Sequence, residues 1–151
     1  MGTLDSVSSP GRTRPCRVLI TATSRIPSVE LGAIMPLGEL MQRGRCRTMY
    51  LDEALVTPAH LAWADLVFFV RPCSFRARAI ATAAQAAGRK LLAYYDDDLL
   101  NLPPGSPSQR YYGGGIKAHL LWFLATAGRL CFCSPVLAED YGKIAGRPVS
   151  V

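Results

Sequence analysis

The chain has 151 residues and a mass of 16.4 kDa, with 50% hydrophobic residues, 19% charged residues and a formal net charge of +6. These values fit one globular domain and exclude an intrinsically disordered chain or a small disulfide-stapled scaffold. They also exclude most two-domain enzymes, and no stretch reaches the ~20 apolar residues that a membrane-spanning helix requires.

The first elements in chain order are a leader, a strand and a helix. Residues 1–16 are rich in Ser, Pro, Gly and Arg and predict a flexible leader. Arg17–Ala22 is short, apolar and β-rich, which predicts a buried first strand. The loop Thr21–Ser28 follows, and Val29–Arg43 then has apolar residues at helical spacing. Because Pro36 lies inside it, this helix is expected to begin near the proline or to be kinked there.

The middle of the chain continues the alternation of strand and helix. Arg45–Leu51 alternates apolar and polar residues and predicts a second strand. Thr57 and Pro58 open a short helix that ends at Trp63, with Thr as its N-cap. Asp65–Val70 is a continuous apolar run, typical of a strand buried on both faces of a parallel sheet. Ser74–Ala87 is alanine-rich and predicts a helix capped by its serine.

The chain then runs from a strand through a long loop to a further helix. Arg89–Tyr95 predicts the fourth strand. Asn101–Tyr112 is polar, contains three prolines and predicts a loop. Gly113–Ala127 predicts a helix that follows three glycines.

The last segments complete the predicted fold. Arg129–Cys133 predicts a fifth strand. Ser134 with Pro135 caps a predicted helix that runs to about Ala145, and Pro148–Val151 predicts the beginning of a sixth strand. Strands and helices alternate throughout, which predicts an α/β fold: a doubly wound, mainly parallel sheet of five to six strands with helices on both faces. Ligands of such sheets bind beyond the carboxyl ends of the strands, so the residues after each strand are the candidates for a site.

Polar residues follow three of the predicted strands. Ser24 and Arg25 follow the first strand, without the GxGxxG pattern of a dinucleotide site. Arg71 follows the third strand and suits a phosphate or carboxylate, or else forms an ion pair with the acidic run. That run is Asp96, Asp97 and Asp98, directly after the fourth strand. Its carboxylates could bind a divalent metal, contact sugar hydroxyls as ligand or general base, or cap the following turn.

Charge and cysteine content bear on partners and location. The odd number of cysteines, five, and the absence of an apolar secretory segment predict a reducing, cytoplasmic compartment. The two histidines are not close in sequence to any cysteine, so no zinc site is expected. Seven arginines fall within the first 47 residues. They either form a solvated surface or meet an anionic membrane surface, which makes the inner membrane face a candidate peripheral location. No aromatic residues interleave with them, so nucleic acid is not an expected partner.

Several segments resemble, in the same order, the N-terminal domain of group-one-type glycosyltransferases. The stretch KLLAYYDDDLLNLPPGSP resembles a family segment in which a strand ends in aspartates followed by Leu and Leu-Pro. The other matching segments are Pro36 with Leu40 and Gly44, Asp65–Arg71, Tyr111–Lys117, and Cys133–Leu137 with Tyr141. The resemblance covers about residues 17–151.

The resemblance implies a Rossmann-like half of a GT-B fold. In that family two such domains face each other, the N-terminal one holding the acceptor and the C-terminal one the nucleotide-sugar donor. Residues 17–151 would then be the acceptor-side domain, with the donor domain absent and catalysis incomplete in this chain alone. The expected partners are a sugar acceptor and a donor-binding domain or second chain. No cofactor or metal is expected, and the nucleotide-sugar is a co-substrate.

The resemblance also implies roles for individual residues. Asp97 is expected to be catalytic through direct contact with acceptor hydroxyls. The expected acceptor-binding residues are Ser24, Arg25, Arg71, Asp96 and Asp98. The alternative function is that of a non-catalytic α/β binding or assembly module.

Overall fold

The computed structural model describes residues 14–112 and 115–151 and contains one five-stranded sheet. All strand pairs are parallel, in the order β2-β1-β3-β4-β5. The strands are β1 Cys16–Ala22, β2 Cys46–Asp52, β3 Leu66–Val70, β4 Lys90–Tyr95 and β5 Arg129–Phe132. The predicted doubly wound, parallel α/β fold is thereby confirmed.

Helices connect the strands and cover both faces of the sheet. They are α1 Pro27–Val29, a π-helical turn Glu30–Ile34, α2 Met35–Gln42, α3 Pro58–Trp63, α4 Phe75–Ala86, α5 Pro107–Tyr112, α6 Ile116–Thr126 and α7 Pro135–Ala145, with a 3-10 turn at Glu53–Leu55. No helix within the described residues is long and apolar enough to cross a membrane.

Each face of the sheet carries its own apolar core. On the face covered by α3, α4, α6 and α7, the side chains of Leu19, Phe69 and Tyr95 are fully buried. On the other face, Ile20 and Val70 pack against Val29 of α1 and Ala33 of the π-helical turn. This alternation along β1 and β3 follows from the two-residue period of a strand.

The helix after β1 differs in detail from the sequence prediction. It begins at Pro27 rather than near Pro36, because a π-helical turn precedes the α2 segment. Pro36 lies directly after the π-helical turn, where the regular α-helical hydrogen-bond pattern is already interrupted. Gly32 in the π-helical turn lies so close to β4 that an added Cβ would be 2.1 Å from Tyr94 Cε1.

Two predicted helix caps are confirmed. The Ser74 hydroxyl accepts a hydrogen bond from the Ala77 N–H at 2.8 Å, and the Ser134 hydroxyl accepts one from the Leu137 N–H at 3.3 Å. Both caps lie at the carboxyl edge of the sheet, and they hold the starts of α4 and α7 beside the ends of β3 and β5.

Three other segments differ from expectation or extend it. The predicted loop Asn101–Tyr112 is wrong in its second half, which forms helix α5. The predicted sixth strand begins as a single parallel bridge between Ser150 and Cys131. Within the predicted leader, Cys16 already belongs to β1 and Arg14 binds Asp65. Residues 1–13 of the leader, and residues 113–114 of the predicted Gly113–Ala127 helix, lie outside the described residues.

Candidate functional site

Arg71 is the central charged group at the carboxyl edge of the sheet. It follows β3 directly, and its φ of 53° lies in the left-handed region that residues other than glycine rarely adopt. Such a conformation persists only where the surroundings fix it, and the Arg71 N–H donates to the Tyr94 carbonyl at 2.8 Å. The side chain is only 15% exposed, and its guanidinium lies 5.6 Å from the centre of the Tyr112 ring.

Two members of the aspartate run bind this arginine. Arg71 Nη2 lies 2.5 Å from Asp97 Oδ2, and Arg71 Nε lies 3.5 Å from Asp96 Oδ1. Arg71 Nε and Asp96 Oδ1 are buried and have no hydrogen bond among the described residues. The ion pair considered from the sequence is therefore present, and it fixes the guanidinium in place. One guanidinium and two carboxylates give the side chains of Arg71, Asp96 and Asp97 a net formal charge of −1.

The third aspartate has a different task. Asp98 Oδ1 accepts hydrogen bonds from the N–H groups of Leu100 and Asn101, each at 3.2 Å, and from the Tyr141 hydroxyl at 3.1 Å. Burial is the main cause of the raised pKa of Tyr141, so its hydroxyl stays protonated as a donor. Asp98 thus caps the turn after β4, while its two neighbours bind Arg71.

An open cavity of about 430 Å³ lies beside Arg71 at the ends of β1 and β3. Its polar wall includes Thr23 and Ser24 from the loop after β1 and Ser74 at the start of α4. Its apolar wall includes Ile26 and Phe75, and Phe75 is 76% exposed as a residue. The cavity therefore offers hydroxyl groups, a guanidinium and an exposed aromatic ring to a ligand.

A smaller hollow of about 280 Å³ adjoins the aspartates. Its walls are Asp96, Asp97, Asp98, Asp140 and residues at the start of α7. Because Arg71 lines the larger cavity and its two carboxylate partners line the hollow, the ion pair lies between the two spaces. Asp97, with a side chain that is 57% exposed, is accessible beside the pair.

A buried carboxyl group supports the polar wall of the cavity. Glu53, after β2, is only 4% exposed and accepts hydrogen bonds from Ser74 Oγ at 2.5 Å and Thr23 Oγ1 at 3.4 Å. Burial raises the pKa of Glu53, while both hydroxyl donors act against that rise. One side chain thus joins the segments that follow β1, β2 and β3, and no pattern in the sequence distinguishes it from a surface glutamate.

His119 and Cys73 also line the cavity, and neither was a predicted site residue. The Nδ1 atom of His119 is buried without a hydrogen-bond partner among the described residues, and the ring meets the edge of Phe75 at 6.3 Å between centres. Burial raises the pKa of Cys73 to about 11, so its thiol stays protonated at neutral pH. The apolar residues that follow His119 in the sequence are typical of core positions and concealed this histidine.

The loop after β1 separates two residues that the sequence placed together. Ser24 lines the cavity as expected. Arg25 instead forms an ion pair with Glu30 at 2.5 Å, and its guanidinium lies 5.6 Å from the centre of the Tyr50 ring. Of the predicted set, the structure therefore brings together Ser24, Arg71, Asp96 and Asp97, while Arg25 and Asp98 hold neighbouring loops.

Metal binding was one role considered for the aspartates. The carboxylates of the run turn toward different partners, Arg71 and the turn after β4. Within residues 14–112 and 115–151, no three His, Cys, Asp or Glu side chains are grouped so as to hold a metal ion.

Comparison of the sequence with protein-family models and with curated proteins found no match to either.

Proposed function

We propose that the chain is the acceptor-binding half of a glycosyltransferase that moves a sugar from a nucleotide-sugar to a hydroxyl acceptor. One observation carries the proposal: Arg71, paired with Asp96 and Asp97, lies beside a cavity of about 430 Å³ lined with hydroxyl groups and an exposed ring. The resemblance of the sequence to the acceptor-side domain of GT-B enzymes supports the same function.

The charge of the site favours an uncharged polyhydroxyl ligand over a nucleotide. A diphosphate bound at Arg71 would need an excess of positive charge there. Here one guanidinium already faces two carboxylates, so an added diphosphate would meet a group that carries net negative charge. A sugar hydroxyl, in contrast, can both donate to a carboxylate and accept from a guanidinium.

Within this proposal each polar group has a task. Asp97 accepts a hydrogen bond from the acceptor hydroxyl that reacts, since its carboxylate is the more exposed of the two that bind Arg71. Arg71 and Asp96 orient that carboxylate. Ser24 and Thr23, which line the larger cavity, contact further hydroxyls of an acceptor that extends past the ion pair from the hollow. Deprotonation of the acceptor by a carboxylate would be general base catalysis.

The proposal implies a second, donor-binding domain, on this chain or another, because the nucleotide-sugar binds to such a domain in the family that the sequence resembles. It implies no metal, since the acidic groups are engaged with Arg71 and a turn. We also propose a cytoplasmic location, which the five unpaired cysteines support.

Ligand binding to the isotope-labelled chain, followed by NMR, tests the proposal. The probes are methyl glucoside, methyl mannoside and inositol as polyhydroxyl ligands, and UDP and GDP as nucleotides. We expect at least one polyhydroxyl ligand to shift the signals of Ser24, Arg71 and Ser74 in a saturable manner. Tighter binding of UDP or GDP at these residues, or saturable binding of all probes elsewhere, would overturn it.

Variants sharpen the same measurement. Arg71→Gln should weaken polyhydroxyl binding about tenfold or more, because a charge-assisted hydrogen bond is lost and Asp97 is released. Arg43→Gln is the matched control, since Arg43 is an exposed arginine paired with Glu39 at the far end of α2. Equal affinities of the two variants would remove Arg71 from the site.

A transfer assay with a donor-binding partner separates catalysis from binding alone. Transfer should continue in the presence of a chelator, and loss of transfer that Mn²⁺ restores would support a metal at the aspartates instead. Saturable sugar binding without transfer, with every donor domain and nucleotide-sugar tried, would favour the non-catalytic binding module.

A further inference from the structure

The amino edge of the sheet, opposite the cavity, carries a dense group of cations. Within two residues of the five strand starts there are seven basic residues and one acid, Asp65. The basic residues are Arg14, Arg17, Arg45, Arg47, Arg89, Lys90 and Arg129. We name this group the basic edge. Within two residues of the strand ends the balance is reversed, with Asp52, Glu53, Asp96 and Asp97 against Arg71.

Strand register aligns part of the basic edge into one row. Arg17 pairs with Arg47 across β1 and β2, and the Asp65 N–H donates to the Arg17 carbonyl at 2.8 Å. On the next strand, Arg89 directly precedes Lys90, whose N–H donates to the Asp65 carbonyl at 3.2 Å. Neighbouring strands lie about 4.8 Å apart, so the row Arg47-Arg17-Asp65-Arg89 extends over roughly 15 Å. These residues are far apart in sequence, and only the register brings them together.

Most of this charge is not balanced within the described residues. Asp65 binds both Arg14, at 2.7 Å, and Arg17, at 3.3 Å. The side chains of Arg45, Arg47, Lys90 and Arg129 are exposed and form no ion pair or hydrogen bond in the described part of the chain. Basic side chains at this edge could bind the carbonyls at the carboxyl ends of the helices, but within residues 14–112 and 115–151 only the Arg147 side chain donates to such a carbonyl, that of Leu124.

Partly exposed apolar side chains adjoin the cations. Leu40 and Met41, in the last turn of α2, are 40% and 43% exposed and lie just before Arg43 and Arg45. Trp63, which is half-buried, lies 6.0 Å from the Arg17 guanidinium. Cations beside apolar and tryptophan side chains are typical of surfaces that bind at the lipid–water interface.

We propose that the basic edge binds the anionic surface of a phospholipid membrane, with the cavity facing away from the bilayer. The row of cations, the adjoining apolar side chains and the acidic strand ends at the opposite edge favour an anionic lipid surface over a nucleic acid. Binding of single strands would need a groove with several stacking aromatic rings. The inference goes beyond the proposed function and does not depend on it, since the two sites lie at opposite edges of the sheet.

Co-sedimentation with vesicles tests this inference. The chain should bind vesicles of phosphatidylcholine mixed with phosphatidylserine, and it should bind vesicles of phosphatidylcholine alone much more weakly. Each exposed arginine contributes about a fivefold increase in partition, so Arg45→Gln with Arg47→Gln should lower binding about 25-fold. Equal binding to both kinds of vesicle would overturn the proposal.

A matched double variant controls for net charge. Arg110→Gln with Lys117→Gln removes the same two charges from α5 and α6, at the side of the cavity, and should leave vesicle binding within about twofold of the unchanged chain. An equal loss in both double variants would mean that net charge alone acts, and would overturn the role of the basic edge. Circular dichroism and urea unfolding establish that each variant is folded.

A third variant distinguishes a lipid surface from a nucleic acid. Leu40→Gln with Met41→Gln should weaken vesicle binding and leave any binding to duplex DNA or single-stranded RNA unchanged, because phosphate contacts need no apolar side chains. Tighter binding to either nucleic acid than to the anionic vesicles, with the same dependence on Arg45 and Arg47, would replace the lipid proposal with a nucleic-acid one.

Discussion

Replacement of Gly32 by alanine tests how closely the helix after β1 packs on the sheet. An added Cβ would lie 2.1, 2.7 and 2.8 Å from three ring atoms of Tyr94. Favourable carbon contacts begin near 3.5 Å, so the ring or the helix must move by about 1.4 Å. Overpacking of this kind costs about 1–3 kcal/mol, and the helical preference of alanine over glycine returns about 1 kcal/mol. We expect Gly32→Ala to lower the free energy of unfolding by up to about 2 kcal/mol.

Gly38→Ala is the matched control in the same helical run. No atom lies within 4 Å of a Cβ built at Gly38, so this substitution should stabilise the protein by about 0.5–1 kcal/mol. Urea unfolding followed by circular dichroism measures both values. Gly32→Ala should become as favourable as Gly38→Ala when Tyr94→Ala is also present, because the clashing ring is then gone. Equal effects of the two glycine substitutions in the unchanged chain would refute the close approach.

Three further substitutions probe groups around the sheet by urea or thermal unfolding. Burial raises the pKa of Glu53, so the free energy of unfolding falls as the pH rises from the pKa of the unfolded chain through that of the folded chain. Glu53→Gln should remove this fall, and an equally steep fall in the variant would contradict the burial of an ionisable Glu53. Tyr95→Phe removes a buried hydroxyl that donates to the Pro72 carbonyl at 2.9 Å, and should cost about 1–2 kcal/mol; no loss would show that the bond contributes nothing. Hydrogen bonds from Arg14 and from the backbone hold the pKa of Asp65 well below its usual range, so Asp65→Asn should lower the free energy of unfolding by about 1 kcal/mol at neutral pH. This difference between the two proteins should vanish as acid protonates Asp65, and its persistence in acid would contradict the ion pair.

The parts of the fold that could be predicted are those with strong local signals. Continuous apolar runs such as Asp65–Val70 identified buried strands, and Ser74 and Ser134 identified helix starts, because capping depends on one side chain and its own helix. Helix α5 escaped prediction because its prolines lie before or at its first residue, where they are compatible with a helix. The π-helical turn before Pro36 also has no sequence signature of its own.

The site was predictable only where it follows strand ends. Arg71 and the aspartates could be placed together because the carboxyl ends of neighbouring parallel strands meet at one edge. The three aspartates have different partners: Asp96 and Asp97 bind Arg71, and Asp98 binds the turn after β4 and Tyr141. This difference depends on tertiary contacts. The roles of Glu53 and His119 depend on packing between segments distant in sequence, and no local pattern reports such packing.

The affinity of Asp97→Asn for the best polyhydroxyl ligand tests the central claim most directly. Asparagine keeps the size of the side chain but removes the negative charge that pairs with Arg71. It also removes the carboxylate that, in the proposal, accepts a hydrogen bond from the acceptor hydroxyl. In an NMR titration that follows Ser24, Arg71 and Ser74, we predict at least about tenfold weaker binding than in the unchanged chain. An unchanged affinity, with the same signals shifting in both proteins, would contradict an acceptor site built on Arg71 and Asp97.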